Sequence, residues 1–305
     1  MIAFISAAVI AAAILAAVIY IDIREQKAYE ALPAAVLHGD MFAENGGYDV
    51  KSRQYFVYDL SAGKPLNFCG AEKVVYPASC TKLLTALTAL KYLKPDDIVT
   101  AGDEVSFIAD GSSIAYIQKD MELSVEMLIE GMLLPSGNDA AYVLAAAAGR
   151  KISGDDGITA EKAVETFVAE MNAYAAELGM CGSHFTTPDG YCGSDHYSTL
   201  EDMALLSVLA YNNDIIRKYA SLPSDSVTYA SGETNTWLNT NECLDASSEY
   251  YNENIVGLKT GSLDKYYNLI AAVSDGGRTY IIGVFGLKNK EDRFDDVNTI
   301  ADKLI

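Results

Sequence analysis

Apolar positions along this chain fall into several rhythms, and each predicts a different element. Residues Ile2 to Ile21 form twenty consecutive uncharged and nearly all apolar positions, enough for one helix to cross a bilayer. Residues 23–48 mix charge, alanine and glycine and read as a tether. RQYFVYDLSAGKPLNFCG holds two strand-like runs about a turn containing Ala62 and Gly63, which predicts a hairpin. From Pro77 onward Leu83, Leu84, Leu87 and Leu90 recur at a helical period. A buried helix is therefore expected there, with Ser79 and Lys82 sharing one face of its first turn. SVEMLIEGMLL is expected to stop at Pro135, and NDAAYVLAAAAG to end at Gly149. Val164, Phe167, Val168, Met171, Ala175 and Leu178 mark the buried face of a further helix, and Ser198 with Glu201 forms a capping-box pattern before DMALLSVLAY. Strand character returns in YYNLIAAVS and RTYIIGVFGL about a DGG turn, and Phe294, Val297, Ile300 and Leu304 predict a terminal amphipathic helix. This order predicts an α+β fold. Hairpins from both ends pair in one antiparallel sheet flanked by terminal helices, the middle helices form a second lobe, and a cleft between them offers a site.

Half of the 305 residues are apolar, enough for one large core or two smaller ones, which argues against disorder. Against 22 basic residues stand 42 acidic ones, a net charge of -20 that disfavours nucleic acid and anionic lipid headgroups as partners. The N-terminal run reads as an uncleaved anchor in preference to a signal peptide. It exceeds a usual signal-peptide core, has no Lys or Arg before it, and lacks a clear cleavage site after it. Arg24 and Lys27 on its C-terminal flank favour a cytoplasmic position for that flank. Cys69, Cys80, Cys181, Cys192 and Cys243 show no zinc-ligand spacing, so neither a metal nor a cofactor is expected. Cys181 and Cys192 can close a short loop if the domain is extracytoplasmic, and Cys80 reads as a small packing residue. His38, His184 and His196 lack helical metal-binding spacing, and His184 and His196 read as structural members of a loop with Asp189 and Asp195.

The chemistry lies in a serine and a lysine three positions apart. Serine is a weak nucleophile unless a base takes its proton, and lysine serves as that base when burial keeps it neutral. The pattern S-x-x-K occurs three times, as Ser61 to Lys64, Ser79 to Lys82 and Ser262 to Lys265. Only the second opens a buried helix, where backbone N–H groups also point toward a developing oxyanion. Two further signals follow in order, Ser136-Gly137-Asn138 after Pro135 and Lys259-Thr260-Gly261 before the later strands.

Together these triplets, with YPASCTKLLTALTAL, LSVEMLIEGMLLPSGNDAA, HFTTPDGYCGSDHYSTLEDMALL and GLKTG, resemble the low-molecular-mass penicillin-binding proteins, the serine D-alanyl-D-alanine carboxypeptidases. The resemblance runs from about residue 50 to 290 and implies the β-lactamase/transpeptidase-like version of the α+β fold in a catalytic domain over 49–305. It implies Ser79 as the acylated nucleophile, Lys82 as its proton acceptor and Ser136 as a relay toward the leaving amine. Asn138 would hold the substrate backbone and orient Lys82. Lys259 and Thr260 would bind the terminal carboxylate, Gly261 would let the strand edge approach the substrate, and the amides of Ser79 and Ser262 would form the oxyanion hole. Peptidoglycan stem peptides are then the substrate, β-lactam antibiotics acylating inhibitors, and the cell membrane the location, with the domain on its outer side despite Arg24 and Lys27. A DD-endopeptidase or a serine β-lactamase on the same fold is an alternative, as is a cell-wall sensor that acylates once without turnover. The chain departs from the family pattern in SLDKYYNL, where Leu263 and Tyr266 replace smaller or more polar residues in a segment one residue short. That departure alters the cleft wall and leaves the catalytic groups intact.

Overall fold

The computed structural model describes residues 47–71, 73–191, 193–264 and 266–305. The apolar run of Ile2 to Ile21, nearly all of the tether, Cys192 and Lys265 lie outside the described residues. Strands β1 (Gln54–Asp59) and β2 (Lys64–Cys69) form the first hairpin, with Gly63 in its turn. The others are β3 (Ile98–Thr100), β4 (Glu122–Ser124), β5 (Ser224–Thr228), β6 (Thr234–Leu238), β7 (Ile255–Leu263), β8 (Tyr266–Ser274) and β9 (Thr279–Leu287). The hairpins from the two ends of the chain meet as expected, β1 pairing antiparallel with β9 in a five-stranded sheet of order β2-β1-β9-β8-β7.

Both faces of this sheet are covered, which is why its inner strands β1, β9 and β8 read as nearly unbroken apolar runs. On the outer face Tyr55, Val57, Leu269, Ala271 and Val284 pack with Phe294, Val297 and Ile300 of the last helix. On the inner face Phe56, Tyr58, Ile270, Ala272 and Ile281 belong to the core of the helical lobe. Strand β7 forms one edge, and the sequence reading had not extended strand structure back through its Lys-Thr-Gly triplet. The two-stranded ribbons β3-β4 and β5-β6 were likewise unforeseen.

The helices are α1 (Lys82–Leu90), α2 (Val125–Leu133), α3 (Asn138–Ser153), α4 (Ala160–Glu177), α5 (Leu200–Asn212), α6 (Asp214–Ala220) and α7 (Asp292–Ala301). Helix α1 is buried all round from Lys82 to Ala89, the signature of a helix inside a core. Helix α2 is capped by the Ser124 hydroxyl and ends before Pro135. In α4 Phe167, Met171 and Ala175 are fully buried as expected, while Val164 and Val168 are half-buried.

Two boundaries differ from expectation. Helix α3 continues past Gly149 to Ser153, and residue 149 is a glycine because a side chain there would meet the Ala163 carbonyl at 1.9 Å. That glycine serves helix contact, and Gly154, at φ +68°, makes the C-terminal turn. Helix α5 is capped by Thr199, which accepts from Asp202 N at 3.1 Å. Ser198 is held instead in a backbone bridge with Val75, so the cap falls one residue later. Among the described residues no helix is long and apolar enough to cross a membrane, and no His, Cys, Asp or Glu cluster suits a metal.

Candidate active site

Ser79 is not in the first α-turn, as its spacing had predicted, but in a 3₁₀ turn over Ala78–Thr81 that leads into α1 at Lys82. Residues three apart eclipse in a 3₁₀ turn, so Lys82 stands directly over Ser79. Its Nζ lies 2.8 Å from Ser79 Oγ, 2.8 Å from Asn138 Oδ1 and 3.0 Å from the Asp189 carbonyl. Burial lowers the Lys82 amine to a pKa of about 8, against the upward pull of Asp189 and Asp139. A substantial neutral fraction therefore exists near neutral pH, and a neutral amine can take the serine proton.

The Ser136-Gly137-Asn138 break fixes the second partner. Ser136 is buried in the left-handed region at φ +63°, and Gly137 precedes the start of α3 at Asn138. A Cβ on Gly137 would sit 2.7 Å from the Gly131 carbonyl and 2.8 Å from Ala115 Cβ, so the middle position has no room for a side chain. Asn138 Nδ2 donates to Ser112 Oγ, which orients its amide oxygen toward Lys82. Asp139 accepts from the amides of Ala115 and Ile117 and ties down the same segment. Among the described residues no side-chain hydrogen bond joins Ser136 to Lys82 or Lys259.

The third group comes from edge strand β7. Lys259 is fully enclosed, donates to the Thr260 carbonyl at 3.2 Å, and is held well below its usual pKa by burial and then by the charge of Lys82. Thr260 shares a 2.6 Å hydroxyl contact with Thr240. At Gly261 the strand also comes close to the nucleophile turn. A Cβ there would lie 2.5 Å from the Pro77 carbonyl and 3.2 Å from Cys80 Sγ. Asn268 donates to the Tyr76 and Pro77 carbonyls and Cys80 Sγ to the Lys259 carbonyl, which fixes turn to strand. Ser262 is exposed, and its hydroxyl accepts from Arg293 Nη1 at 3.0 Å. The Arg293 group also donates to the Gly261 carbonyl.

The structure thus brings Ser79, Lys82 and Asn138 into direct contact and sets Lys259 in their electrostatic field, with Thr260, Gly261 and Ser262 following along β7. Sequence reasoning missed the Asp189 carbonyl, Ser112, Thr240, Asn268 and Arg293, although HFTTPDGYC had marked the Asp189 loop. His196 is structural, as expected. Its Nδ1 accepts from Thr186 N at 3.1 Å, which leaves Nε2 to donate to Thr81 Oγ1 at 2.8 Å, and burial lowers it to about 4. Of the rival serines, Ser61 accepts from Thr279 N in an exposed turn, and Lys265 lies outside the described residues.

A serine under a buried, partly neutral lysine, beside a free sheet edge, is the arrangement of a lysine-assisted serine acyl-transfer site on an α+β fold. The peptidase S11 pattern, described as D-alanyl-D-alanine carboxypeptidase, matches residues 41–289, and the chain belongs to that family. It is 31% identical over 257 residues to D-alanyl-D-alanine carboxypeptidase DacC of Escherichia coli (strain K12), covering 81% of this chain and 59% of that protein. The chain spans less than two thirds of the length of the first such relatives. Among solved structures, a mutant Streptomyces K15 DD-transpeptidase superposes with a TM-score of 0.73 at 28% identity, covering 83% of this chain and 97% of that one. A D-alanyl-D-alanine carboxypeptidase from Mycobacterium tuberculosis H37Rv gives 0.72 at 26% identity, over 87% and 95%.

Proposed function

We propose that this chain is a serine DD-carboxypeptidase that removes the terminal D-alanine from peptidoglycan stem peptides. The observation that carries the reading is the 2.8 Å contact between Ser79 Oγ and a buried Lys82 whose pKa is about 8. Lys82 accepts the Ser79 proton as Oγ attacks the carbonyl carbon of the penultimate D-alanine. The amides of Ser79 and Ser262 stabilise the oxyanion. As the peptide C–N bond breaks, the leaving amine takes a proton relayed through Ser136, and an ester remains on Ser79. Water then adds to the ester and gives a proton to Lys82, which returns it to Ser79 Oγ as the ester C–O bond breaks, and the shortened peptide leaves as a carboxylate with its remaining proton lost to solvent. Asn138 aligns the donor backbone and Lys82, while Lys259 and Thr260 hold the terminal carboxylate. β-Lactams acylate the same serine. The apolar run of Ile2 to Ile21 anchors the domain on the outer side of the cell membrane, where stem peptides are available.

A labelled penicillin should attach to Ser79, and Ser79→Ala should abolish labelling while leaving the fold intact. Release of D-alanine over many turnovers separates the enzyme from a sensor acylated once. Adduct formation at Ser61 or Ser262 would overturn the assignment.

A further inference from the structure

Beyond Ser262 the sheet ends in side chains that this chemistry does not use. Leu263 of β7 stands opposite Tyr266 of β8, and because Tyr267 pairs with Leu287 of β9, Lys288 falls beside Tyr266. Strand alternation puts Tyr266 on the face of Asn268 and Ile270, which is turned toward the helical lobe. Its ring meets that of Tyr76 at 6.2 Å between centroids, and Lys288 Nζ lies 3.9 Å from the Tyr266 centroid. The Asn268 bond to the Tyr76 carbonyl fixes this wall three residues ahead of Ser79. Lys288 is exposed, and among the described residues no ion pair involves it.

The direction of a bound donor follows from its two ends. With the terminal carboxylate at Lys259 and Thr260 and the scissile carbonyl at the Ser262 amide, a donor extended along the open edge of β7 continues past Ser262. At about 3.3 Å per residue its preceding residue comes level with Leu263, and a long side chain on it can pass over the end of β7 to Tyr266, the partner of Leu263 on the next strand inward. We propose that Tyr76, Tyr266 and Lys288 form a subsite for a carboxylate-bearing residue immediately before the D-alanyl-D-alanine pair. The inference rests on the carboxypeptidase reading. Lys288, held by the Tyr266 ring, supplies the charge, and the two rings flank the aliphatic stem.

The test uses the full chain and two synthetic donors ending in D-alanyl-D-alanine, the preceding residue bearing either a side-chain carboxylate or the matching amide. Two quantities are read, kcat/KM for D-alanine release and the donor concentration that halves the rate of penicillin labelling. The wild type should prefer the acid roughly two- to fivefold, the scale of an exposed ion pair. Lys288→Gln should bring the acid-to-amide ratio to one, and Lys288→Glu should invert it. Because the ratio is taken within each variant, any general loss of folding or acylation cancels. Labelling and D-alanine release with equal use of both donors, or a preference that survives Lys288→Gln, overturns the subsite alone. Absence of both labelling and release overturns the carboxypeptidase reading and the subsite with it.

Discussion

Lys82 Nζ sits 2.8 Å from Ser79 Oγ with Asn138 Oδ1 and the Asp189 carbonyl closing around it. Because burial brings this amine to about 8, its neutral fraction rises about tenfold per pH unit below that value and levels above it. The rate of penicillin labelling should follow the same curve. Lys82→Arg cannot shed its proton, so labelling should fall by on the order of 10³ above pH 8 and lose its rise with pH. A flat profile in the wild type would remove Lys82 as the base.

Lys259 is enclosed beside a second lysine and held well below its ordinary pKa, first by burial. A bound carboxylate reverses that pressure by adding an opposite charge, which favours the charged amine. A donor amidated at its C-terminus should lose about 1.5 to 3 kcal/mol of transition-state stabilisation in the wild type. Lys259→Gln should impair the free acid far more than the amide. Equal losses in kcat/KM for both donors would move carboxylate recognition elsewhere.

Gly261→Ala would place a methyl group 2.5 Å from the Pro77 carbonyl, a backbone atom with little freedom to retreat. Strand β7 should then separate from the nucleophile turn. Overpacking of this kind costs about 1 to 3 kcal/mol in urea unfolding. Loss of alignment should lower the labelling rate by on the order of 10². Normal labelling in a destabilised variant would show that the close approach serves folding alone.

His196 carries a stability prediction with a definite sign. Burial lowers its folded pKa to about 4, whereas the unfolded chain titrates near 6.5, so the unfolded state binds more protons between these values. The fold keeps its full contribution above about pH 6.5 and should lose on the order of 3 kcal/mol as pH falls toward 4. Urea unfolding at a series of pH values checks this. His196→Gln should be less stable at pH 7 yet show a shallower slope across that window, and an unchanged slope would assign the acid sensitivity to other groups.

Strands β1, β8 and β9 were legible because burial on both faces leaves long apolar runs. Strand β7 was hidden because its Lys-Thr-Gly-Ser stretch carries polar groups at a sheet edge, where no apolar rhythm is required. The short ribbons β3-β4 and β5-β6 are half-exposed and too brief to show a period. In the site, residue type and spacing pointed to Ser79 and Lys82, and the family resemblance supplied Ser136, Asn138 and the Lys259 to Ser262 run. The Asp189 contribution is a carbonyl, which any residue supplies, and Ser112 and Thr240 act through single hydroxyls from distant loops. Gly149 was misread as a helix stop because helix contact and chain reversal demand the same residue for different reasons.

Cys80 follows the nucleophile, lies fully inside the protein, and donates to the Lys259 carbonyl, with burial pushing its thiol up to about 12. A disulfide reagent therefore reaches it only during excursions in which the nucleophile turn parts from β7. With the other cysteines replaced, the modification rate becomes a clock for that seam. A penicillin ester on Ser79 should slow the clock by closing the seam from the substrate side, and Gly261→Ala should quicken it. The residue beside the nucleophile then reports how tightly the two halves of the site are joined when nothing is being turned over.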